Sequence, residues 1–155
     1  MPDENYLSIL SLPVAMWAAN RDENNIPDVV HCNGIVPTGN CEKLTFFISA
    51  EYSDTFLANL KVSPALTLLV ADIYTFRSYQ YKGNFESMRD CTPEEVVLQQ
   101  KHLRAFSDAI GEVGHSNDGF YDAYNLQPSF AVTFLVTDIF EQTPRKGTGQ
   151  CVAKP

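Results

Sequence analysis

No run in this sequence approaches the roughly 20 apolar residues that a membrane-crossing helix needs, so no bilayer-spanning helix is expected. Basic residues are scarce as well: 11 Lys plus Arg stand against 19 Asp plus Glu, a net charge of −8. That balance opposes nucleic acids and anionic membranes, whose binding rests on neutralising phosphate charge. A small anion can still be held where a few cations sit together. The four cysteines, Cys32, Cys41, Cys91 and Cys151, make no CxxC pair and no metal-ligand spacing. His31, His102 and His115 lie far apart, and no metal site is expected. The opening MPDENYLS lacks the basic segment and apolar core of a signal peptide, so reduced thiols in a cytoplasm are expected.

Phosphate-cradling loops are missing too. There is no GxxxxGK[ST] and no GxGxxG, and GTG at 147–149 opens no helix. GxSxG is absent, and no Ser/His/Asp arrangement emerges from spacing. No catalytic side chain is therefore nominated. The missing loops oppose the usual nucleotide-binding folds.

What is present is a globular composition, 45% hydrophobic and 19% charged over 155 residues, enough for one domain with its own core. The order of elements follows from periodicity and punctuation. Residues 3–12 read as a short helix stopped by Pro13. Strands are expected over 13–21 and 28–36, with a hairpin turn at Asn24-Asn25. After the turn at 37–42 comes a strand over 43–50. Ser53 is placed to cap a short helix over 54–60 that Pro64 prevents from continuing. Strands over 65–74 and 76–87 follow. Thr92 and Glu95 form a capping box with Pro93 in the first turn, and Leu103, Phe106, Ile110 and Val113 recur at helical spacing until Gly114. Residues 114–128 read as a loop, 129–141 as a final strand, and the tail as too rich in Gly, Pro and charge for core. Six strands joined mostly by short connections predict a mainly β protein with flanking helices, a six-stranded antiparallel barrel.

One strand carries unusual chemistry. In FRSYQYKG, residues 76–83, alternation puts Arg77, Tyr79 and Tyr81 on one face and Ser78, Gln80 and Lys82 on the other. A hydroxyl, an amide and an ammonium in a row suit the polar edge of a heteroaromatic ring; they equally suit a solvated sheet face. His31 lies on a strand beside Cys32 and Asn33, which makes His31 and Asn33 candidate ligand contacts. His102, on the long helix, and His115, in the loop, are expected to be solvated.

Arg77-Ser78 followed by Gln80 and Gly83 resembles the strand motif of the pyridoxamine 5′-phosphate oxidase-like, FMN-binding split-barrel family. LTFFISAEYSDTFLANLKVSP (44–64) is similar to that family's strand, ligand loop and short helix, and DIFEQTPRKGTG (138–149) to its closing stretch. The resemblance implies a split barrel spanning residues 1–155, a homodimer, and FMN in clefts at the subunit interface. It implies that Ser49, Ser53 and Thr55 meet the phosphate, that Ser78 and Gln80 edge the flavin, and that Arg77 contacts the phosphate or the interface; the candidates to supply positive charge are Arg77, Lys82, and Arg145 or Lys146 of a partner subunit. An oxidoreductase acting on a small molecule is the implied activity. The alternatives are a barrel of the same shape that binds without catalysis, having lost or weakened its hold on flavin, and a haem-handling relative using His31 or His115. Relatives commonly carry Arg or Lys just after the Ser53 position. Asp54-Thr55 stands there in this chain, and Asp54 would repel a phosphate. Where many relatives have Gly after the Pro of the closing stretch, this chain has Arg145, read as a solvated tail residue.

Overall fold

The computed structural model describes residues 5–155. In chain order the elements are helix α1 (Asn5–Ser8), strands β1 (Ala15–Arg21), β2 (Pro27–His31) and β3 (Lys43–Ser49), helix α2 (Asp54–Leu60), strands β4 (Ala65–Ala71) and β5 (Ser78–Asp90), helices α3 (Pro93–Glu112) and α4 (Phe120–Tyr124), and strands β6 (Ser129–Glu141) and β7 (Cys151–Ala153). Six antiparallel strands run in the order β2-β1-β4-β5-β6-β3, and β7 pairs with β6 off that path. The path curls on itself, because the chain leaving β2 reaches the far edge. Asn33 N donates to Phe47 O, Phe47 N to Gly34 O, and Val36 N to Thr45 O. Gly34 sits at φ +140°, where a side chain is strained, and it packs beside His102 and Phe47. The expected six-stranded split barrel with flanking helices is the observed fold.

Two apolar layers hold it. The barrel interior takes alternate residues of every strand, among them Met16, Ala18, Leu44, Phe46, Leu68, Val70, Tyr81 and Phe134. Each large side chain removed from water there contributes about 1.5–3 kcal/mol. Tyr81 is fully buried, and its hydroxyl donates to the Tyr6 carbonyl. The second layer lies outside the barrel. Leu103, Phe106 and Ala109 of α3 are buried apart from the interior cluster, as are Phe47 and Ala131, which face each other across β3 and β6. The α3 capping box forms as expected, Thr92 Oγ1 accepting from Glu95 N at 3.3 Å while the Glu95 carboxylate accepts from Thr92 N at 2.9 Å. Arg89 clamps the same carboxylate with two 2.7 Å bonds, tying the end of β5 to the start of α3.

Gly83, which ends the FRSYQYKG run, is required by close approach. The β5–β6 register shifts between Lys82 and Gly83, and a Cβ on residue 83 would fall 1.9 Å from the Leu135 carbonyl oxygen.

Several expectations need correction. Helix α2 starts at Asp54, but Ser53 does not cap it: the Ser53 hydroxyl donates to the Ser49 carbonyl. The loop after α3 contains α4, and the polar tail supplies β7. Arg77 precedes β5 instead of sharing a face with Tyr79 and Tyr81, because the strand starts at Ser78. The predicted strand over 28–36 ends at His31, beyond which the chain crosses to β3. Of the predicted first helix, residues 3 and 4 lie outside the described residues.

Candidate functional site

The side chains singled out from the sequence fall into three groups. The first lies on β5. Alternation holds: Tyr79 and Tyr81 are buried, whereas Ser78 and Gln80 are half-buried and Lys82 is exposed on the outer face. Strand pairing extends that face sideways. Trp17 of β1 is opposite Leu69 of β4, Leu69 opposite Gln80, and Gln80 opposite Phe140 of β6. The next row, toward the β1–β2 turn, holds Ala19, Thr67, Lys82 and Asp138. The row on the other side has Ala15, Ala71 and Ser78. The outcome is a four-strand face that sets Trp17, Leu69 and Phe140 among small residues, with one amide and one ammonium between them.

Several polar groups on this face have a defined partner. Gln142 Nε2 donates to Gln80 Oε1 at 3.2 Å. That leaves the Gln80 NH₂ as the end of the amide able to donate to another partner. Ser78 Oγ donates to the Phe76 carbonyl at 2.9 Å, and Ser78 N donates to Thr143 Oγ1 at 3.1 Å. The Lys82 ammonium lies 4.7 Å from the centre of the Phe140 ring. Asp138 pairs with Lys154 of the tail at 3.3 Å, and hydrogen bonds from Thr137 and Lys154 hold its carboxyl below the usual range. A groove of about 480 Å³ runs along this end of the face, with Arg21, Lys82 and Asp138 in its wall. Arg77 turns away, donating to Asn5 Oδ1 at 3.2 Å. Arg145 pairs with Glu141 at 3.0 Å while its side chain stays largely exposed, as expected of a tail residue.

The second group, Ser49, Ser53 and Thr55, sits where β3 passes into α2. Ser49 and Ser53 are buried, and their hydroxyls are engaged within the turn. Ser49 Oγ accepts from Glu51 N at 3.3 Å, and Ser53 donates to Ser49 O. Thr55 and Asp54 are exposed. Ser49 is opposite Ser129 on β6, whereas Gln80 is opposite Phe140. Eleven residues of β6 separate those positions, about 36 Å of strand contour. One chain therefore holds its β5 row and its serine turn at opposite ends of the same strand.

The third group, His31 and Asn33, lies under α4. The His31 ring stands 4.2 Å from the Tyr124 ring, with Trp17 and Phe120 each 6.2 Å away, edge to face. Its Nδ1 is 3.3 Å from Asn33 Oδ1, and Asn33 Nδ2 donates to the Tyr124 carbonyl at 3.0 Å. Both residues are thus occupied by the chain itself. His102 is not solvated as expected. It is half-buried beside Gly34 and stacked on Phe106, and burial together with the nearby His31 pushes its pKa down to about 4. His31 is lowered as well, chiefly by burial.

Sequence reasoning missed Trp17, Leu69, Phe140, Gln142 and Thr143. Strand alternation alone could have set the first three outward; their alignment with Gln80 needed the strand order. Among the described residues, no group of three His, Cys, Asp or Glu side chains could hold a metal ion. No helix among them is long and apolar enough to cross a membrane. All four cysteines are free thiols. Cys32 and Cys41 are buried, which pushes the Cys41 thiol up to about 11 and the Cys32 thiol higher still.

No protein-family model matches this chain, and no curated protein matches it in sequence. Solved structures do match in shape. HupZ of Group A Streptococcus is similar with a TM-score of 0.56 at 10% identity, over 97% of this chain and 99% of that one. An FMN-binding protein of Syntrophomonas wolfei is similar with a TM-score of 0.55 at 14% identity, over 93% and 90%. A pyridoxamine 5′-phosphate oxidase-related, FMN-binding protein of Nostoc punctiforme is similar with a TM-score of 0.51 at 11% identity, over 96% and 86%. The fold of this chain is therefore the split barrel of the pyridoxamine 5′-phosphate oxidase-related, FMN-binding structures.

Proposed function

We propose that this chain is a flavoprotein, one split-barrel unit that pairs with its own copy and binds FMN in clefts shared between the two. The observation that carries this is the cross-strand row Leu69–Gln80–Phe140 with Lys82 alongside. It offers apolar contact to a flat ring, an amide donor to the ring's polar edge, and a cation for an anionic ligand. The separation of that row from Ser49 and Ser53 supports a site made by two copies, in which the serine turn of one chain completes the face of the other. Covering the half-exposed Leu69 and Phe140 would give the pairing its driving force.

When bound, the flavin would supply electron or hydride transfer to a small molecule. The protein's part would be orientation: the Gln80 amide at the ring edge, Lys82 as local charge, and the small residues Ala15, Ala19 and Ala71 allowing close approach. A cytoplasmic setting with reduced thiols belongs to the same proposal.

A second reading has its own support. The Ser49 and Ser53 hydroxyls are engaged internally, and Asp54-Thr55 brings no cation to their turn. These features favour a barrel that binds without catalysis and holds flavin weakly. The visible spectrum of protein purified after riboflavin-supplemented expression, followed by calorimetric titration with FMN, separates the two. Flavin bands and saturable binding support the flavoprotein. A colourless protein that takes up no added FMN supports the cofactor-free barrel, and a Soret band would identify a haem protein.

A further inference from the structure

We propose that the cavity between the 72–77 turn and the C-terminal end of α3 binds a planar aromatic ring that carries no negative charge. This goes beyond the flavin reading, because every wall comes from one chain and no flavin is required.

The cavity encloses about 380 Å³ and is lined chiefly by Trp17, Ala71, Phe76, Ile110, Val113 and His115. That size falls within the range of small-molecule pockets, about 300–1,000 Å³. Its two large rings are left in solvent: Trp17 is 38% exposed and Phe76 68%.

Phe76 is the telling residue. Its φ is +58°, a conformation that bulky side chains rarely adopt. The turn around it is built to hold that geometry. Phe76 N donates to the Asp72 carbonyl at 2.9 Å, Asp72 N donates to the Arg77 carbonyl at 2.9 Å, and the Asp72 carboxylate accepts from Tyr74 N and from the Thr75 hydroxyl. The Tyr74 hydroxyl then donates to Glu112 at 2.5 Å, fastening the turn to α3. Strain of this kind persists where surrounding structure over-determines it, and it concentrates at ligand clamps. In the free chain the Phe76 ring gains little packing in return. A ligand ring set against Phe76 and Trp17 supplies that contact.

Charge decides the ligand class. The buried Asp72 is part of the wall, and Glu112 lies at the turn's anchor. No Lys or Arg is among the lining residues. The nearby Arg77 and Arg145 are committed to Asn5 and Glu141. Ser78 Oγ, already donating to the Phe76 carbonyl, keeps lone pairs that can accept from an N–H on the ligand. Because Ser78 belongs to the open sheet face as well, a ring bound here would abut the proposed flavin.

Trp17 is the single tryptophan, so its emission reports from the cavity wall. Benzamide, benzamidinium and benzoate share a ring and differ in charge. Titrated into the flavin-free protein, benzamide and benzamidinium should change Trp17 emission saturably, with benzoate at least tenfold weaker. Phe76→Gly should weaken benzamide at least tenfold while the unfolding midpoint stays level or rises. Ala71→Leu, which fills the floor, should weaken it similarly, and Phe76→Tyr should retain it. Absence of saturation with all three probes would overturn the proposal. So would benzoate binding as tightly as benzamide, or undiminished binding by folded Phe76→Gly or Ala71→Leu protein.

Discussion

The side-chain amide of Gln142, one residue past the end of β6, donates to Gln80 Oε1 at 3.2 Å and so leaves the Gln80 NH₂ as the end of that amide able to donate elsewhere. A flavin ring offers carbonyl and ring-nitrogen acceptors along its polar edge, so in the proposed cleft the Gln80 NH₂ would be a donor of the right sense.

If Gln80 edges the flavin, Gln80→Ala should weaken FMN by on the order of 1 kcal/mol, the net worth of a typical hydrogen bond. Gln142→Ala should cost less, because it releases the Gln80 amide to rotate without removing it. Calorimetric titration of the two folded variants checks the order. Equal affinities for wild type and Gln80→Ala would make the row a solvated sheet face.

The serine turn carries the phosphate part of the account. Asp54 and Thr55 are exposed at the start of α2, so both can be replaced without disturbing the core. Asp54→Arg with Thr55→Lys should tighten FMN at least about tenfold, roughly 1.4 kcal/mol. Loss of a carboxylate near a helix N-terminus costs under about 1 kcal/mol of stability. The gain should shrink with added salt, since exposed charges are screened over about 10 Å at 0.1 M. Riboflavin, which lacks the phosphate, should respond little. Equal responses from FMN and riboflavin would move the phosphate away from this turn.

His102 gives the barrel a pH dependence of definite sign. Its folded pKa of about 4 lies below the usual 6.5, because burial disfavours the charged ring. Between those values the unfolded chain takes up a proton that the folded chain does not, so stability is full above pH 6.5 and falls as pH drops toward 4. The loss is up to about 3 kcal/mol, at 1.36 kcal/mol per pKa unit. His31 lies near enough to act on His102 and is itself lowered, chiefly by burial, so it adds to the slope. The urea midpoint should therefore fall between pH 7 and pH 5, and His102→Gln should flatten that fall. A variant with the wild-type slope would place the pH dependence elsewhere.

Local rules made much of the architecture legible. The Thr92–Glu95 capping box with Pro93 marks α3 because its hydrogen bonds are confined to neighbouring residues. The run 129–141 reads as a strand because its apolar pattern is long, and 54–60 reads as a helix bounded by a turn and Pro64. What escaped depended on distant partners. Ser53 has the chemistry of a cap, yet the Ser49 carbonyl competes for its hydroxyl. Residues 151–153 look like tail because their strand exists only as an addition to β6. His102 reads as a solvated helix residue until the chain after β2 brings Gly34 against it. The same limit applies to the candidate site. Ser78, Gln80 and Lys82 could be assigned to one face by alternation, but Trp17, Leu69 and Phe140 join them only through strand order.

The central claim, a flavin cleft completed by a second copy, is tested most directly by measuring particle mass and FMN stoichiometry on one sample. Light scattering at micromolar concentration should report a particle of twice the 17.3 kDa chain, and calorimetry should report one FMN per chain. A particle of single-chain mass that binds FMN with undiminished affinity would contradict the shared cleft, and a stable dimer that takes up no FMN would contradict the flavoprotein.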